Sequence, residues 1–280
     1  MNEIRLIVNA DDFARSVGIN DGILKAHKEG IVSTTTAMMN LENSKVSVRS
    51  ARENAPTLGI GVHLNITYGS PLSPAEEICS LTDKNGLFRD FHELLASPEE
   101  INLEHVEREW RQQIECFLDT GVPLDHLDSH HHSAAFSKDL FRLFLNLASE
   151  YGCGVRNPNP VDIEQVELHS LYSNVMIEFL VNKSDTLMSD MGIPHPDGFL
   201  ASFFAEKANV SHLRKLLSTL GPGVYELMCH PGIFEPSLAE TSNYAHFREQ
   251  ELETLTHPDI LGTIQNLDVR LHSFYSAWIT

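Results

Sequence analysis

The 280 residues predict an α/β fold, a distorted or incomplete (β/α) barrel of mostly parallel strands with outer helices. Short apolar runs alternate along the chain with longer segments of helical periodicity. Such alternation implies parallel pairing through right-handed crossovers. Roughly seven or eight strand-helix units in a chain of this length suit a barrel better than the alternative, an open doubly wound sheet.

Each element has a local reason. Ile4 to Val8 reads as a buried strand, and Ser16 as the N-cap of a helix that gathers Ile19, Ile23, Leu24 and His27 before Gly30 stops it. Ile31 to Met39 is rich in β-branched residues, Asn43 to Asn54 is helical in pattern, and Ile60 to Leu64 is a further strand. Val106, Trp110, Ile114, Phe117 and Leu118 fall at helical spacing, with Gly121 and Pro123 ending that helix and a strand entering at Leu124 to Leu127. Ser137 opens a helix carrying Phe141, Phe144, Leu145 and Ala148 to Gly152, and strands start at Val155, Val224 to Met228 and Val269 to His272. The span 1–280 is expected as a single domain with loop-rich insertions near 71–95 and 157–204, the second holding one helix around Ile163 to Leu180.

Composition narrows the function classes. Twenty Lys plus Arg against thirty-nine Asp plus Glu give a formal charge of −19, which repels nucleic-acid phosphates and anionic lipid, and no basic stripe reverses it. No apolar run approaches the ~18 residues of a membrane span, and Met1 to Arg5 opens straight into a strand-like run, so neither signal peptide nor membrane partner is expected. Cys79, Cys116, Cys153 and Cys229 lie far apart without a CxxC pair, which fits a reduced, cytoplasmic protein. GxSxG, P-loop and GxGxxG motifs are absent from the sequence.

The chemistry concentrates where strands end. Asp11-Asp12 follows the first strand, His63 ends the third, His126-Leu127-Asp128-Ser129-His130-His131-His132 leaves the fourth, Arg156 follows Val155, and Cys229-His230-Pro231-Gly232 closes a later one. A parallel barrel gathers all these ends at one mouth. Two adjacent carboxylates are costly to bury without a cation, and in extended backbone their side chains point oppositely, which gives them different tasks. The same alternation places His126, Asp128, His130 and His132 on one face. Asp and two His suit Zn²⁺ or another divalent first-row ion; Mg²⁺ is less natural with two imidazoles. His230 is either a proton donor or a structural imidazole at a turn, and sequence neighbours in a strand diverge too far for a Cys229–His230 nucleophile pair. Arg156 either pairs with a carboxylate such as Asp11 or forms a peripheral salt bridge.

These residues resemble the YdjC-like carbohydrate deacetylase family, which includes chitooligosaccharide (chitin disaccharide) deacetylases. The matching pieces are Asn9-Ala10-Asp11-Asp12-Phe13 with Gly18-Ile19-Asn20 and Gly22-Ile23, Gly61-Val62-His63-Leu64-Asn65-Ile66-Thr67, the run from His126 to His132, Arg156, and Glu226-Leu227-Met228-Cys229-His230-Pro231-Gly232, in family order over nearly the whole chain. The resemblance implies a divalent-metal hydrolase removing acetate from an N-acetylated sugar, for instance diacetylchitobiose or its 6-phosphate. It implies Asp12, His63 and His130 as metal ligands, Asp11 as general base, His230 as acid and Arg156 as the residue orienting Asp11. Zn²⁺ is the expected ion, with Mg²⁺ or another divalent ion as alternatives. Ala14 departs from the pattern, which usually has Gly after Asp-Asp-Phe.

Two rival readings accompany this one. Asp128-Ser129-His130-His131-His132 superficially resembles the ligand run of metal-dependent phosphoesterases of the polymerase-and-histidinol-phosphatase type, although that run lies near their N-terminus and here it is central. A catalytically silent sugar- or metal-binding barrel is the other. A small N-acetylated oligosaccharide is the expected partner; the sequence leaves the assembly open, a homodimer being common for soluble enzymes on symmetry grounds.

Overall fold

The computed structural model describes residues 3–163, 173–240, 242 and 244–279. Among the described residues eight parallel strands form one sheet: β1 (Ile4–Phe13), β2 (Thr34–Ala37), β3 (Gly59–Leu64), β4 (His126–Ser129), β5 (Gly154–Val155), β6 (Gly198–Leu200), β7 (Gly223–Cys229) and β8 (Val269–Leu271). Their order is β5-β4-β3-β2-β1-β7-β6, with β8 beside the start of β1. Among the described residues no ladder joins β5 to β6. A single parallel bridge, Pro160 to Phe199, links the chain after β5 to β6. The expected incomplete (β/α) barrel is therefore what the chain forms.

Several local signals act as expected. Ser16 Oγ accepts the Ile19 N–H to cap the helix Val17–Glu29, and Ser137 Oγ accepts the Leu140 N–H to cap Lys138–Tyr151. That second helix ends at Gly152 with φ 67°, a left-handed position where glycine carries no Cβ penalty. The strand β6 arises inside the span expected to be loop-rich; it is three residues long and is held by register with β7, Gly198 opposite Tyr225. Helices Val210–Thr219, Ala245–Leu255 and Pro258–Asn266 are further elements that the sequence pattern left unnamed. Of the helix expected around Ile163 to Leu180, residues 164–172 lie outside the described residues, and Asn174–Phe179 is helical.

Alternation sorts side chains into two environments. Leu6, Val8, Ala10, Ile60, Val62, Leu64, Leu127 and Leu227 pack outward into the main apolar core beneath the helices. The inward positions build layers. At the bottom Ile7, Val224, Phe274 and Ala277 make a small apolar plug, closed by the helix Phe274–Ala277. Above it lie polar residues: Asn9, Thr36, Asp128, Arg156 and Glu226, all buried and joined by hydrogen bonds. The top layer carries the strand-end residues.

Gly22 shows how the first helix meets that top layer. A Cβ at this position would sit 2.4 Å from Gly232 Cα and 2.8 Å from its carbonyl carbon, with only backbone to move. The nearby strap is fixed by Ile233 N–H donating to Gly18 O at 2.9 Å. Gly22→Ala is expected to push the helix Val17–Glu29 off the turn that follows β7 and to destabilise the fold by about 1–3 kcal/mol, the range of an overpacked core. Urea unfolding of parent and variant measures this, and an unchanged midpoint would show that the contact is loose.

Candidate active site

The register of β3 and β4 places His63 directly beside Asp128. His63 Nδ1 stands 2.7 Å from Asp128 Oδ1, so the ring donates its Nδ1–H to the carboxylate and its Nε2 lone pair faces away. Nε2 points to His130 Nδ1 at 3.2 Å and Asp12 Oδ1 at 3.6 Å, and His130 Nδ1 is 3.2 Å from Asp12 Oδ1. Three buried donor atoms from three strand ends thus share one small space. Asp12 Oδ1 has no well-formed hydrogen bond among the described residues.

Electrostatics shift the two imidazoles in opposite directions. Burial lowers His130 to about 4, which leaves its ring neutral near pH 7. Burial opposes the charge of Asp12, but Arg248, the contact with His130 and Arg15 outweigh it and hold the carboxyl well below the usual range. His63 is drawn the other way: burial disfavours its charge, and Asp128 with the other nearby carboxylates raises it above the ordinary imidazole value.

A second group of potential donors, Asp11, His63 and Asp128, lies on the opposite side of His63. Arg156 fills it. Its Nη1 and Nη2 donate to the two oxygens of Asp11 at 2.8 and 2.7 Å, Nη2 also approaches Asp128 Oδ2 at 3.1 Å, and Nε donates to Glu226 Oε1 at 2.7 Å. The pairing with Asp11 is bidentate. Asn9 Nδ2 adds a bond to Asp11 Oδ1 at 2.7 Å. Burial works against the guanidinium charge, yet the three carboxylates raise Arg156 well above its ordinary value. Burial likewise pushes Glu226 up to about 7 against the pull of Arg156.

His230 faces this cluster from the end of β7, its Nε2 3.9 Å from Asp11 Oδ2. Asp11, Asp12, His63, His130 and His230 floor a cavity of about 710 Å³ whose walls include Tyr68, Phe91, Phe204 and Tyr244. Both long excursions reach it, the first through Phe91 and His92 and the second through Ile163, Ser202 and Phe204.

Two expectations need correction. Asp11 and Asp12 do not diverge as neighbours in an extended strand, because Asp12 has φ 71° and the β1–β2 register breaks between Ala10 and Phe13. The left-handed turn brings both carboxylates to the same cavity, and Ala14, at φ 72°, stands where glycine would be unstrained. The histidine run also fails to alternate through His132. The strand stops at Ser129, and His131 and His132 adopt φ 55° and 53°. His126 instead lies deeper, stacked on Phe274 with centroids 3.8 Å apart and its Nδ1 3.1 Å from Asp125 Oδ2. His131 Nδ1 meets Thr67 Oγ1 at 3.0 Å, and His132 sets its ring edge-on to Phe199.

The sequence reading missed one whole face of the helix Ala245–Leu255. Arg248 and Glu251 are buried there, with Tyr244 one turn before Arg248. Arg248 Nη2 donates to Asp12 Oδ2, and Glu251 Oε2 accepts the backbone N–H of His230. Their signal was present: two charged residues occupy the stripe otherwise carried by Ala245, Leu252 and Leu255.

The YdjC-like protein family model matches residues 5–266. This chain belongs to the YdjC-like family. A carbohydrate deacetylase of Brevibacillus brevis is 35% identical over 274 residues, covering 97% of this chain and 98% of the relative. A carbohydrate deacetylase of Enterococcus faecalis is 33% identical over 281 residues, 99% of each chain. A crystal structure of an Enterococcus faecalis V583 protein, provisionally named for cellobiose-phosphate cleavage, superposes with a TM-score of 0.83 at 32% identity and covers 98% of both chains.

Cys229 Sγ turns away from the cavity toward Asn9 O at 3.4 Å, and burial pushes its thiol well above the usual range. Under native conditions an alkylating reagent is expected to modify the exposed Cys79 and to leave Cys153 and Cys229 untouched until the chain unfolds. Mass spectrometry of the labelled protein tests this; fast labelling of Cys229 would contradict its burial.

Proposed function

We propose that this YdjC-like protein is a metal-dependent carbohydrate N-deacetylase acting on a small N-acetylated oligosaccharide. One observation carries the reading: Asp12 Oδ1, His63 Nε2 and His130 Nδ1 converge beside Asp11 and His230 on the floor of one cavity. The relatives named as carbohydrate deacetylases supply the reaction class.

The residues fit a divalent cation. Donors bound at ~2.0–2.2 Å around a tetrahedral Zn²⁺ stand roughly 3.3–3.6 Å apart, and the three atoms here are separated by 3.2, 3.2 and 3.6 Å. Two imidazoles with one carboxylate favour Zn²⁺ over Mg²⁺. A cation held by Asp12, His63 and His130 supplies Lewis acidity toward the acetamide oxygen and lowers the pKa of water.

The chain's own groups then divide the proton transfers. Asp11, gripped by Arg156 and Asn9, takes a proton from water at Oδ2 as the water oxygen adds to the acetamide carbon. His230 Nε2, on the far side of Asp11 Oδ2, delivers a proton to the sugar nitrogen as the C–N bond breaks, leaving acetate and the free amine. Arg156 sets the carboxylate plane and occupies the space where a second cation would otherwise sit. That occupancy weighs against a multi-metal phosphoesterase. A cavity of about 710 Å³ with aromatic walls suits a chitooligosaccharide such as diacetylchitobiose or its 6-phosphate.

Purified protein is expected to release acetate from one of these sugars and to lose the activity on chelation; phosphate release from a generic ester without any acetate would sink the reading. Asp11→Asn should retain its metal while kcat falls about 10²–10⁴-fold, whereas His63→Ala and His130→Ala should emerge metal-free by elemental analysis. Asp128→Asn removes the acceptor that fixes the His63 tautomer, and its metal affinity is expected to drop about 10–100-fold in a competition titration with a chromogenic chelator. Unaltered affinity would assign Asp128 to packing alone.

A further inference from the structure

His230 faces the cavity through Nε2 and turns Nδ1 into the protein. Nδ1 is buried and has no hydrogen-bond partner among the described residues. On that side stands Glu251, 0% exposed, with Oε1 3.8 Å from Nδ1. The carboxylate is already anchored: its Oε2 accepts the His230 backbone N–H and its Oε1 accepts the Tyr244 hydroxyl. Tyr244 is itself fixed, since its hydroxyl accepts the Ala205 N–H at 2.8 Å and its ring stacks on Phe204 with centroids 4.3 Å apart. The other groups facing His230 are Asp11 from β1 and Arg248, whose Nη1 reaches the His230 carbonyl at 3.4 Å while its Nη2 is committed to Asp12.

A proton donor that works through Nε2 must keep a proton on Nδ1 throughout, and an acceptor beside Nδ1 both selects that tautomer and stabilises the imidazolium. Resting contacts of this kind are commonly long and shorten when substrate binds. We propose that Glu251 is the positioning residue of His230, holding Nδ1–H and aiming Nε2 at the cavity, with Tyr244 fixing the carboxylate. This rests on the reading of His230 as the proton donor to the leaving amine. It gives the buried Glu251 side chain and the unpartnered Nδ1 one shared purpose, and it ties the acid to the loop that carries Phe204. A purely architectural Glu251 would serve only the backbone N–H of His230 and the Tyr244 hydroxyl.

Nitrogen-15 spectra of zinc-loaded protein selectively labelled at histidine distinguish the two roles. The neutral His230 ring is expected to carry its proton on Nδ1, and Glu251→Gln is expected to shift the ring toward the Nε2–H form. The same variant should keep its metal and hold KM within about threefold while kcat falls about 10²-fold. An Nε2–H tautomer in the parent overturns the proposal, and so does a Glu251→Gln variant whose His230 spectrum is unchanged, whatever its kcat. The parent spectrum decides alone should the variant fail to fold. It also decides if no acetylated sugar is turned over, which separates failure of this inference from failure of the deacetylase reading.

Discussion

One guanidinium binds the interior together. Arg156 follows β5, at one edge of the sheet, and reaches across the barrel to Asp11 on β1, Asp128 on β4 and Glu226 on β7. Burying one carboxylate without a partner is prohibitive, and burying three around a single bidentate cation is tolerable only because nearly every oxygen is engaged. The sheet lacks a ladder between β5 and β6 among the described residues, so this internal bond also spans the gap that backbone pairing leaves. Arg248 does the same for Asp12 from outside the sheet.

His63 divides the resulting field. Its Nδ1 side is engaged by Asp128, which Arg156 also contacts, whereas its Nε2 side faces His130 Nδ1 and Asp12 Oδ1. The same ring therefore separates the carboxylates held by Arg156 from the candidate cation-binding group of Asp12, His63 and His130. A short span of side chains achieves this because β3 and β4 run in register, which needs no long-range adjustment.

Much of this was readable in the sequence, for a topological reason. Polar residues at the ends of apolar runs converge once the strands are parallel, so Asp11, Asp12, His63, His130, Arg156 and His230 could be grouped before any coordinate was known. The directions of the side chains were less accessible. A period of two holds only while the backbone stays extended, and positive φ at Asp12, His131 and His132 breaks it without a glycine to mark the place. β6 was invisible because three residues in a Pro- and Gly-rich stretch carry little local preference and depend on β7 for their geometry. Arg248 and Glu251, with Tyr244 at the cap ahead of them, belong to a helix whose polar residues look solvent-facing until the neighbouring turn covers them.

The floor of the barrel bears on how the chain reaches this state. β1 is made before β7 and β8, the strands it pairs with, and the plug of Phe274 and Ala277 comes later still. Until those residues emerge, the polar interior remains flooded and Arg156 has no dry enclosure in which its ion pairs gain strength. Vectorial synthesis thus supplies the keystone after the arch, and the nascent chain must hold its carboxylates in water while it waits.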